Sequence, residues 1–202
     1  MRVLIVDDHP IIVAGCTAML ASEGDIEVVD ARDAHKGFEV YVTQQPDVAV
    51  VDIALPGASG LELTRRILDY DSAARIVVFS MNDDAIFAAR ALDAGAKGYI
   101  TKNDDPYLLL RALRDVVAGK TFIMPAIAAK LANRSANPLD ALSSRELEIL
   151  RMLSRGLGMA EIAAATNRSY KTIINSCSVI KGKLRARTLS ELVRIAIECK
   201  LI

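Results

Sequence analysis

Residues 2–10 read RVLIVDDHP, an apolar run that ends in two adjacent carboxylates. A continuous run of Val, Leu and Ile predicts a β-strand buried on both faces, as in a parallel sheet. Similar runs follow at 26–31, 48–51, 76–79 and 98–101, and amphipathic segments with helical spacing lie at 10–22, 33–44, 59–70, 83–94 and 104–118. These five β-then-α units predict an α/β fold, a doubly wound five-stranded parallel sheet with helices on both faces.

The pattern changes after this α/β region. Gly and Pro residues flank a short apolar piece within 120–138, which predicts a linker with one short helix. From Leu139 onward the strand pattern stops, and four helical stretches are predicted at 143–155, 158–165, 169–184 and 188–200. A short second helix, a tight turn and a longer third helix predict a helix-turn-helix. We therefore expect a first domain over 1–119 and a second, smaller all-α domain over 139–202.

Serine residues lie at or near the start of three of the four predicted C-terminal helices. Ser143 and Glu146 have the S-x-x-E spacing of a capping box. Ser169 is predicted to cap the third helix and Ser190 the fourth, because a hydroxyl oxygen can accept a hydrogen bond from a free N–H of the first helical turn.

The charge of the chain is divided along the same boundary. The 202 residues are 52% apolar and 25% charged, which excludes disorder as the main state. The net charge is zero, which alone would argue against a nucleic-acid-binding protein. However, 139–202 holds 11 Lys and Arg against 6 Asp and Glu, whereas 1–138 holds 14 against 19. The helical domain is therefore basic by five charges and the α/β domain is acidic by five.

Several classes of protein are disfavoured by what the chain lacks. No run of apolar residues is long enough for a membrane span. The N-terminus reaches two acidic residues almost at once, which is unlike a signal peptide. Cys16, Cys177 and Cys199 lie far apart and form no CxxC pair, so neither a disulfide framework nor a zinc site is predicted. Reduced thiols and a cytoplasmic location are the expectation.

Polar residues follow four of the predicted strands. Asp7 and Asp8 follow the first strand, Asp52 ends the third, Ser80 follows the fourth, and Lys102 follows the fifth. Ligands of open α/β sheets bind at the carboxyl ends of the strands, and converging carboxylates there suit Mg²⁺. A carboxylate, a divalent metal, an ammonium and a hydroxyl are the groups needed for phosphoryl transfer to an aspartate.

Each of these residues alone also has a structural explanation. An Asp after a strand can cap the next helix, Lys102 can be a solvated charge, and Ser80 can cap the helix predicted near Asp83. Their placement at the ends of different strands favours a common site over these separate explanations.

Four segments carry a family resemblance. LIVDDHP at 4–10, VVDIALPGASG at 50–60, FS at 79–80 and AGAKGYITK at 94–102 resemble a response-regulator receiver domain, which has a flavodoxin-like fold. The resemblance implies that Asp52 accepts the phosphoryl group from a sensor histidine kinase, with Lys102 and Ser80 assisting. It further implies that Mg²⁺ is held by Asp7, Asp8, Asp52 and the backbone carbonyl of Ala54.

The resemblance also implies a conformational switch formed by Ser80 and Tyr99. Ser80 would move toward the phosphoryl group, and Tyr99 would turn inward behind it. No proline follows Lys102, unlike in many receivers, so the sequence does not predict the usual geometry of that loop. His9 belongs to the DDHP turn and is not expected to carry a phosphoryl group.

The helical domain has a resemblance of its own. LSSRELEILRMLSRGLGMAEIA at 142–163, KTI at 171–173 and KLRARTLSELV at 183–193 are similar to the LuxR-type helix-turn-helix domain. With the receiver, this indicates a NarL/FixJ response regulator that binds promoter DNA as a homodimer, with its third helix in the major groove. The resemblance implies base reading by Asn175 and Ser178, and phosphate contacts by Lys171, Lys181, Lys183, Arg185 and Arg187.

The chain departs from this family at four positions, which leaves an alternative open. Thr166 and Arg168 replace the usual apolar residues of the turn, and Ile174 and Ser176 stand where the recognition helix usually carries basic or His residues. One alternative is a regulator whose divergent helix-turn-helix acts mainly through protein–protein interaction.

A Mg²⁺-dependent phosphatase is a weaker alternative, because Ile53 and Ala54 follow Asp52 where such an enzyme needs a second acid. We therefore expect that the protein is not an enzyme. The kinase, the stimulus, the target genes and the sign of regulation are not predicted by the sequence.

Overall fold

A computed structural model describes residues 1–132, 138–199 and 201. The chain divides after Ala132 into two compact units. The described part of the chain contains no helix that is long and apolar enough to cross a membrane.

The first unit is a parallel α/β sheet flanked by helices. Its strands are β1 (Arg2–Val6), β2 (Glu27–Ala31), β3 (Val48–Val51), β4 (Ile76–Ser80), β5 (Gly98–Thr101) and β6 (Phe122–Ile123), in the order β2-β1-β3-β4-β5-β6. Its helices are α1 (Pro10–Ala21), α2 (Ala34–Gln44), α3 (Gly60–Tyr70), α4 (Ala85–Asp93), α5 (Pro106–Val117) and α6 (Pro125–Ala132). The predicted doubly wound α/β fold is confirmed.

Alternate residues of each strand serve the two faces of the sheet. On one face, Val3 and Ile5 of β1 pack in a cluster that includes Leu20 of α1 and Leu113 of α5. On the opposite face, Leu4 and Val6 pack in a cluster with Tyr41 of α2 and with Leu63 and Ile67 of α3. Both faces of the sheet are therefore covered, which explains the continuous apolar runs in the sequence.

The sheet has six strands, so the prediction of five was wrong by one. Phe122 pairs with Gly98 and Ile123 with Tyr99, which adds a two-residue strand beyond β5. Phe122 is buried, and α6 packs against α4. Residues 120–132 of the predicted linker thus belong to the first unit, and residues 133–137 lie outside the described part. A strand of two residues is too short to show a periodic pattern.

The second unit is helical. After a 3-10 turn at Pro138–Ala141 it contains α7 (Ser144–Ser154), α8 (Met159–Ala165), α9 (Tyr170–Leu184) and α10 (Leu189–Glu198). The predicted capping box is confirmed, because the Ser143 hydroxyl accepts from the Glu146 N–H and the Glu146 carboxylate accepts from the Ser143 N–H. Ser169 caps α9 as predicted, through the N–H of Thr172.

The prediction that Ser190 caps the last helix was wrong. Thr188 occupies the N-cap position of α10, and its hydroxyl accepts from the Glu191 N–H at 3.1 Å. The Glu191 carboxylate accepts in turn from the Arg187 N–H at 2.6 Å. Thr188 stands three residues before an acidic residue, and this spacing satisfies two free N–H groups at once.

The three cysteines are free thiols. Cys16 lies on α1 and Cys177 on α9, and both are buried. Burial raises the pKa of Cys16 to about 11, with the Asp7 carboxylate acting in the same direction and Lys102 opposing it. Burial also raises the pKa of Cys177. Neither side chain is therefore a reactive thiolate at neutral pH.

Candidate functional site

Three buried charges meet at the carboxyl ends of the strands. Asp7 follows β1, Asp52 follows β3 and Lys102 follows β5, so the loops of three parallel strands bring them together. Lys102 Nζ lies 2.7 Å from Asp7 Oδ2 and 2.8 Å from Asp52 Oδ2. None of the three side chains is more than 3% exposed. We call Asp7, Asp8, Asp52 and Lys102 the acid pocket.

One ammonium faces two buried carboxylates in this pocket. Burial is the main reason why the pKa of Asp52 is raised, and the Asp7 charge adds to it, while Lys102 and a backbone hydrogen bond from Ala54 oppose the shift. Burial alone would lower the pKa of Lys102, but the two carboxylates outweigh it and raise that pKa. Lys102 therefore stays charged, and the pocket keeps an excess of negative charge that attracts a cation.

Asp8 and His9 lie beside this pair of carboxylates. Asp8 Oδ1 is shielded from solvent and accepts no hydrogen bond, although His9 Nδ1 lies 2.9 Å away. Ligand atoms of Asp7, Asp8, His9 and Asp52 lie within 4.8 Å of one another. Three converging carboxylates with an unsatisfied oxygen fit the preference of Mg²⁺ for hard oxygen ligands. His9 was not expected among these groups.

Gly60 closes the loop that follows Asp52. A Cβ atom at this position would overlap the backbone carbonyl of Asp52, and it would also crowd Val51. The Gly60 N–H donates to the carbonyl of Ile53 at 3.0 Å. The first turn of α3 thus approaches the backbone of Asp52 more closely than any residue with a side chain allows. The sequence alone predicts no role for Gly60.

The predicted switch residues are joined by a residue that sequence reasoning missed. Ser80 and Tyr99 are both buried. The Ser80 hydroxyl accepts hydrogen bonds from the backbone N–H and the side-chain amide of Asn82, both at 3.3 Å. The Tyr99 hydroxyl donates to the backbone carbonyl of Asn82 at 2.6 Å. Nothing in the sequence distinguishes Asn82 from an ordinary loop asparagine.

The loop after β5 is fixed without a proline after Lys102. Asp104 Oδ2 accepts from the Thr101 N–H at 3.1 Å and from the Thr101 hydroxyl at 2.8 Å. The Lys102 N–H donates to the Ser80 carbonyl at 2.8 Å. These contacts direct the Lys102 side chain into the acid pocket.

A separate set of predicted site residues lies on α9. Lys171, Ile174, Asn175 and Ser178 are exposed, and their spacing of three and four residues places them on one side of the helix. We call these four residues the α9 face. Lys181 is half-buried, whereas Arg185 and Arg187 are exposed just beyond the end of the helix, at the C-cap and two residues later.

Lys183 has a partner within its own unit. Its Nζ lies 2.6 Å from Glu146 Oε2, so it connects α9 to the start of α7. Although burial opposes the shift, the Lys183 ammonium and the hydrogen bonds from Ser143 lower the pKa of Glu146. This pair competes with the phosphate contact that was predicted for Lys183.

Comparisons with known proteins agree with both units. The model of the response regulator receiver domain matches residues 3–114, and that of the luxR family of bacterial regulatory proteins matches 140–196. The chain belongs to the LuxR-type response regulators. The oxygen regulatory protein NreC of Staphylococcus carnosus is 35% identical over the whole chain and 99% of the relative.

Solved structures of this family are also similar to the chain. A LuxR-family response regulator from Aurantimonas sp. is 40% identical, with a TM-score of 0.62 over 65% of this chain and 94% of that one. The RcsB response regulator of Salmonella typhimurium is 28% identical, with a TM-score of 0.64 over 96% and 98% of the two chains. RcsB in complex with DNA is 29% identical, with a TM-score of 0.60 over 96% of both chains.

The divergent turn of this LuxR-type regulator is closed by polar groups at its surface. The Thr166 hydroxyl donates to the Ile162 carbonyl at 2.7 Å where α8 ends, and Asn167 has a φ of 50°. Arg168 is half-buried, and its N–H donates to the Ala163 carbonyl at 2.8 Å. Burial lowers the pKa of Arg168, with Arg145 adding to the shift. The turn therefore stays open enough to avoid burying a guanidinium.

Proposed function

We propose that Asp52 accepts a phosphoryl group from a sensor histidine kinase and that this modification controls binding of promoter DNA by the helical unit. The observation that carries the proposal is the geometry of the acid pocket. Asp52 is buried beside a second carboxylate and an ammonium, at the end of a strand of a receiver domain. This arrangement has the parts for phosphoryl transfer to a carboxylate.

The transfer forms one bond and breaks one. An oxygen of the Asp52 carboxylate bonds to phosphorus, the bond from phosphorus to the imidazole nitrogen of the donor breaks with its electron pair going to that nitrogen, and the nitrogen takes up a proton from solvent. Lys102, which already lies 2.8 Å from Asp52 Oδ2, is placed to pair with a phosphoryl oxygen. The residues that would hold Mg²⁺ are Asp7, Asp8, Asp52 and the backbone carbonyl of Ala54. When bound, Mg²⁺ supplies positive charge that offsets the charge of the phosphoryl oxygens.

The switch runs through Asn82. The Ser80 hydroxyl accepts two hydrogen bonds from Asn82. If this hydroxyl turns to donate to a new phosphoryl oxygen, the geometry of both hydrogen bonds changes and Asn82 must adjust. Movement of Asn82 shifts the carbonyl to which Tyr99 donates. A charge added at Asp52 thereby biases the position of a buried tyrosine, which is a two-state element of the kind that phosphorylation controls.

The helical unit would then bind DNA as a homodimer with α9 in the major groove. RcsB, to which the chain is similar, has structures in complex with DNA, including one of dimers. In this chain Asn175 is exposed on α9 and suits adenine, and Ser178 lies beside it. Lys171, Lys181, Arg185 and Arg187 would contact phosphates, whereas Lys183 would first have to leave Glu146.

Phosphorylation and DNA affinity measured together test this function. The wild type should take up one phosphoryl group from a small acyl phosphate with Mg²⁺, and its affinity for a duplex selected from a random-sequence pool should rise. Asp52→Asn should take up none and keep the affinity of the unmodified protein. The control Asp30→Asn changes an exposed aspartate of β2 and should behave as wild type. Equal affinity in all states would overturn the switch.

A second candidate function has one observation in its favour. Tyr170, Ile174 and Val179 are large apolar residues on α9 that are 42% to 54% exposed. Such a helix can bind a protein partner instead of DNA. Salt separates the two functions, because DNA affinity should fall with a log–log slope of about −0.9 per phosphate neutralised. Absence of DNA binding even at low salt would favour the protein partner.

A further inference from the structure

The α9 face has an unusual chemistry for a DNA-reading surface. Its four residues offer one ammonium, one amide, one hydroxyl and the sec-butyl side chain of Ile174, which is 42% exposed. Helix α9 contains no arginine, the residue that most commonly reads guanine. Ile174 immediately precedes Asn175 and lies at the edge of this face that is nearer the buried side of the helix.

Apolar and amide side chains read the same base pair from opposite strands. In the major groove only thymine presents a methyl group, and an apolar side chain that packs on it recognises an A·T pair. Asn reads adenine N6 and N7, which again recognises an A·T pair. Ile174 and Asn175 are neighbours on one side of α9, so they would reach neighbouring base pairs. Both residues therefore favour a half-site in which two A·T base pairs are adjacent.

We infer that Ile174 is a specificity-determining residue that packs on a thymine methyl group, next to an adenine read by Asn175. The occupant of the α9 face is thus an A·T-rich half-site. This inference rests on the proposed DNA-binding function and deepens it. Charge complementarity supports this occupant over a protein, because residues 139–202 carry five more basic than acidic residues, and Lys171, Arg185 and Arg187 are exposed around the face.

Local contacts explain why Ile174 is available for this role. Ile173, Cys177 and Ile180 are buried and hold α9 in its unit, while Ile174 lies about a quarter turn around the helix from them and is exposed. Ser176 is partly buried, and its hydroxyl donates to the Thr172 carbonyl at 3.0 Å. The Ser176 hydroxyl is therefore already hydrogen-bonded within the helix. Because Ile174 is exposed, it can be changed without disturbing the core.

The test removes a single methyl group from the DNA. The phosphorylated full chain is first used to select duplexes from a random-sequence pool, and we expect half-sites with adjacent A·T pairs. Each thymine of the selected site is then replaced by deoxyuridine, which lacks only the methyl group. At one position the wild type should lose about fourfold in affinity, the effect of one methyl-sized apolar contact.

Variants assign that loss to a residue. Ile174→Ala should bind the thymine site more weakly than wild type and should not distinguish it from the deoxyuridine site. The control Ile197→Ala makes the same exchange at a residue of α10 that is 54% exposed, and it should retain the discrimination. Discrimination that persists in Ile174→Ala would overturn the inference.

Two further outcomes separate this inference from the function on which it rests. Selection of G·C half-sites, or salt-dependent binding without any sequence preference, would overturn the role of Ile174 while leaving DNA binding intact. Failure to bind any duplex at low salt would overturn both.

Discussion

The acid pocket and the α9 face differ in how their functional side chains are placed: those of the pocket are buried, and those of the α9 face are exposed. In the pocket, Asp7, Asp52 and Lys102 are at most 3% exposed and contact one another directly. On the α9 face, Ile174 is 42% exposed, and its neighbours also lie at the surface. Changes in the pocket must therefore alter stability as well as function, whereas changes on the α9 face should alter only binding.

The largest expected effect comes from removing the buried cation. Lys102→Met leaves two buried carboxylates without their shared partner and should lower the free energy of unfolding at neutral pH by about 3–5 kcal/mol. Urea denaturation in the presence of a chelator measures it. The deficit should shrink as the pH falls, because protonation removes the charge from Asp52, whose pKa is raised by burial.

Lys36 provides the matched control for this exchange. Its pair with Glu39 is at the surface, with side chains 60% and 48% exposed. Lys36→Met should therefore change the free energy of unfolding far less than Lys102→Met does. If Lys102→Met and Lys36→Met lowered the free energy of unfolding equally, buried charges in this molecule would matter no more for stability than exposed ones, contrary to the comparison.

Gly60→Ala should have the next largest effect. The added methyl group overlaps the carbonyl of Asp52, so the α3 turn must move, at a cost of about 1–3 kcal/mol in the free energy of unfolding. Phosphorylation of Asp52 should slow as well. The control Gly15→Ala lies on α1, where its new Cβ meets no heavy atom within 4 Å apart from its chain neighbours and the backbone of its own helix, and it should gain up to about 1 kcal/mol. A neutral Gly60→Ala would contradict the close approach.

Glu146→Gln tests the intermediate case, in which a polar pair is partly exposed. The glutamine can still accept from the Ser143 N–H but no longer pairs as a charge with Lys183, so the loss at pH 7 should be at most about 1 kcal/mol. The pKa of Glu146 is lowered by folding. Its charge therefore stabilises the protein above the ordinary pKa, and this contribution disappears as the pH falls through the lowered one.

The pH dependence provides the check on Glu146. The difference between wild type and Glu146→Gln should close at acidic pH in thermal or urea denaturation. Glu198→Gln is the control, because its pair with Arg194 is exposed and lies within one helix. This variant should change the free energy of unfolding by only about 0.2–0.5 kcal/mol. A difference that widens on acidification would show that the pair does not stabilise the fold.

The smallest expected effect on stability belongs to the α9 face. Lys171→Ala should leave the free energy of unfolding within about 0.5 kcal/mol of wild type. The slope of log affinity against log salt should become shallower by about 0.9, because one phosphate contact is lost. The control Arg194→Ala removes an exposed cation of α10 and should leave the slope unchanged. If Lys171→Ala changed the free energy of unfolding by more than about 0.5 kcal/mol, Lys171 would stabilise the helical unit and would not serve binding alone.

Much of the fold was predictable because long elements leave a periodic pattern. Strands β1, β3 and β4 show continuous apolar runs, and Ser143 with Glu146 has the spacing of a capping box. In contrast, β6 has two residues and leaves no pattern, although Phe122 is buried beside β5. Ser190 and Thr188 are both good capping residues, but only Thr188 has an acidic residue three positions later, and its hydroxyl accepts from the Glu191 N–H.

The kinds of functional group in this regulator are readable without a structure, because carboxylates at strand ends and a basic helical region are visible as residue types and spacings. Which of these groups contact one another depends on the folded arrangement of the chain. Tyr99 donates to Asn82, and Lys183 is held by Glu146, through hydrogen bonds between residues far apart in the chain. Such contacts depend on distances of about 3 Å across separate elements, and no local periodicity encodes them.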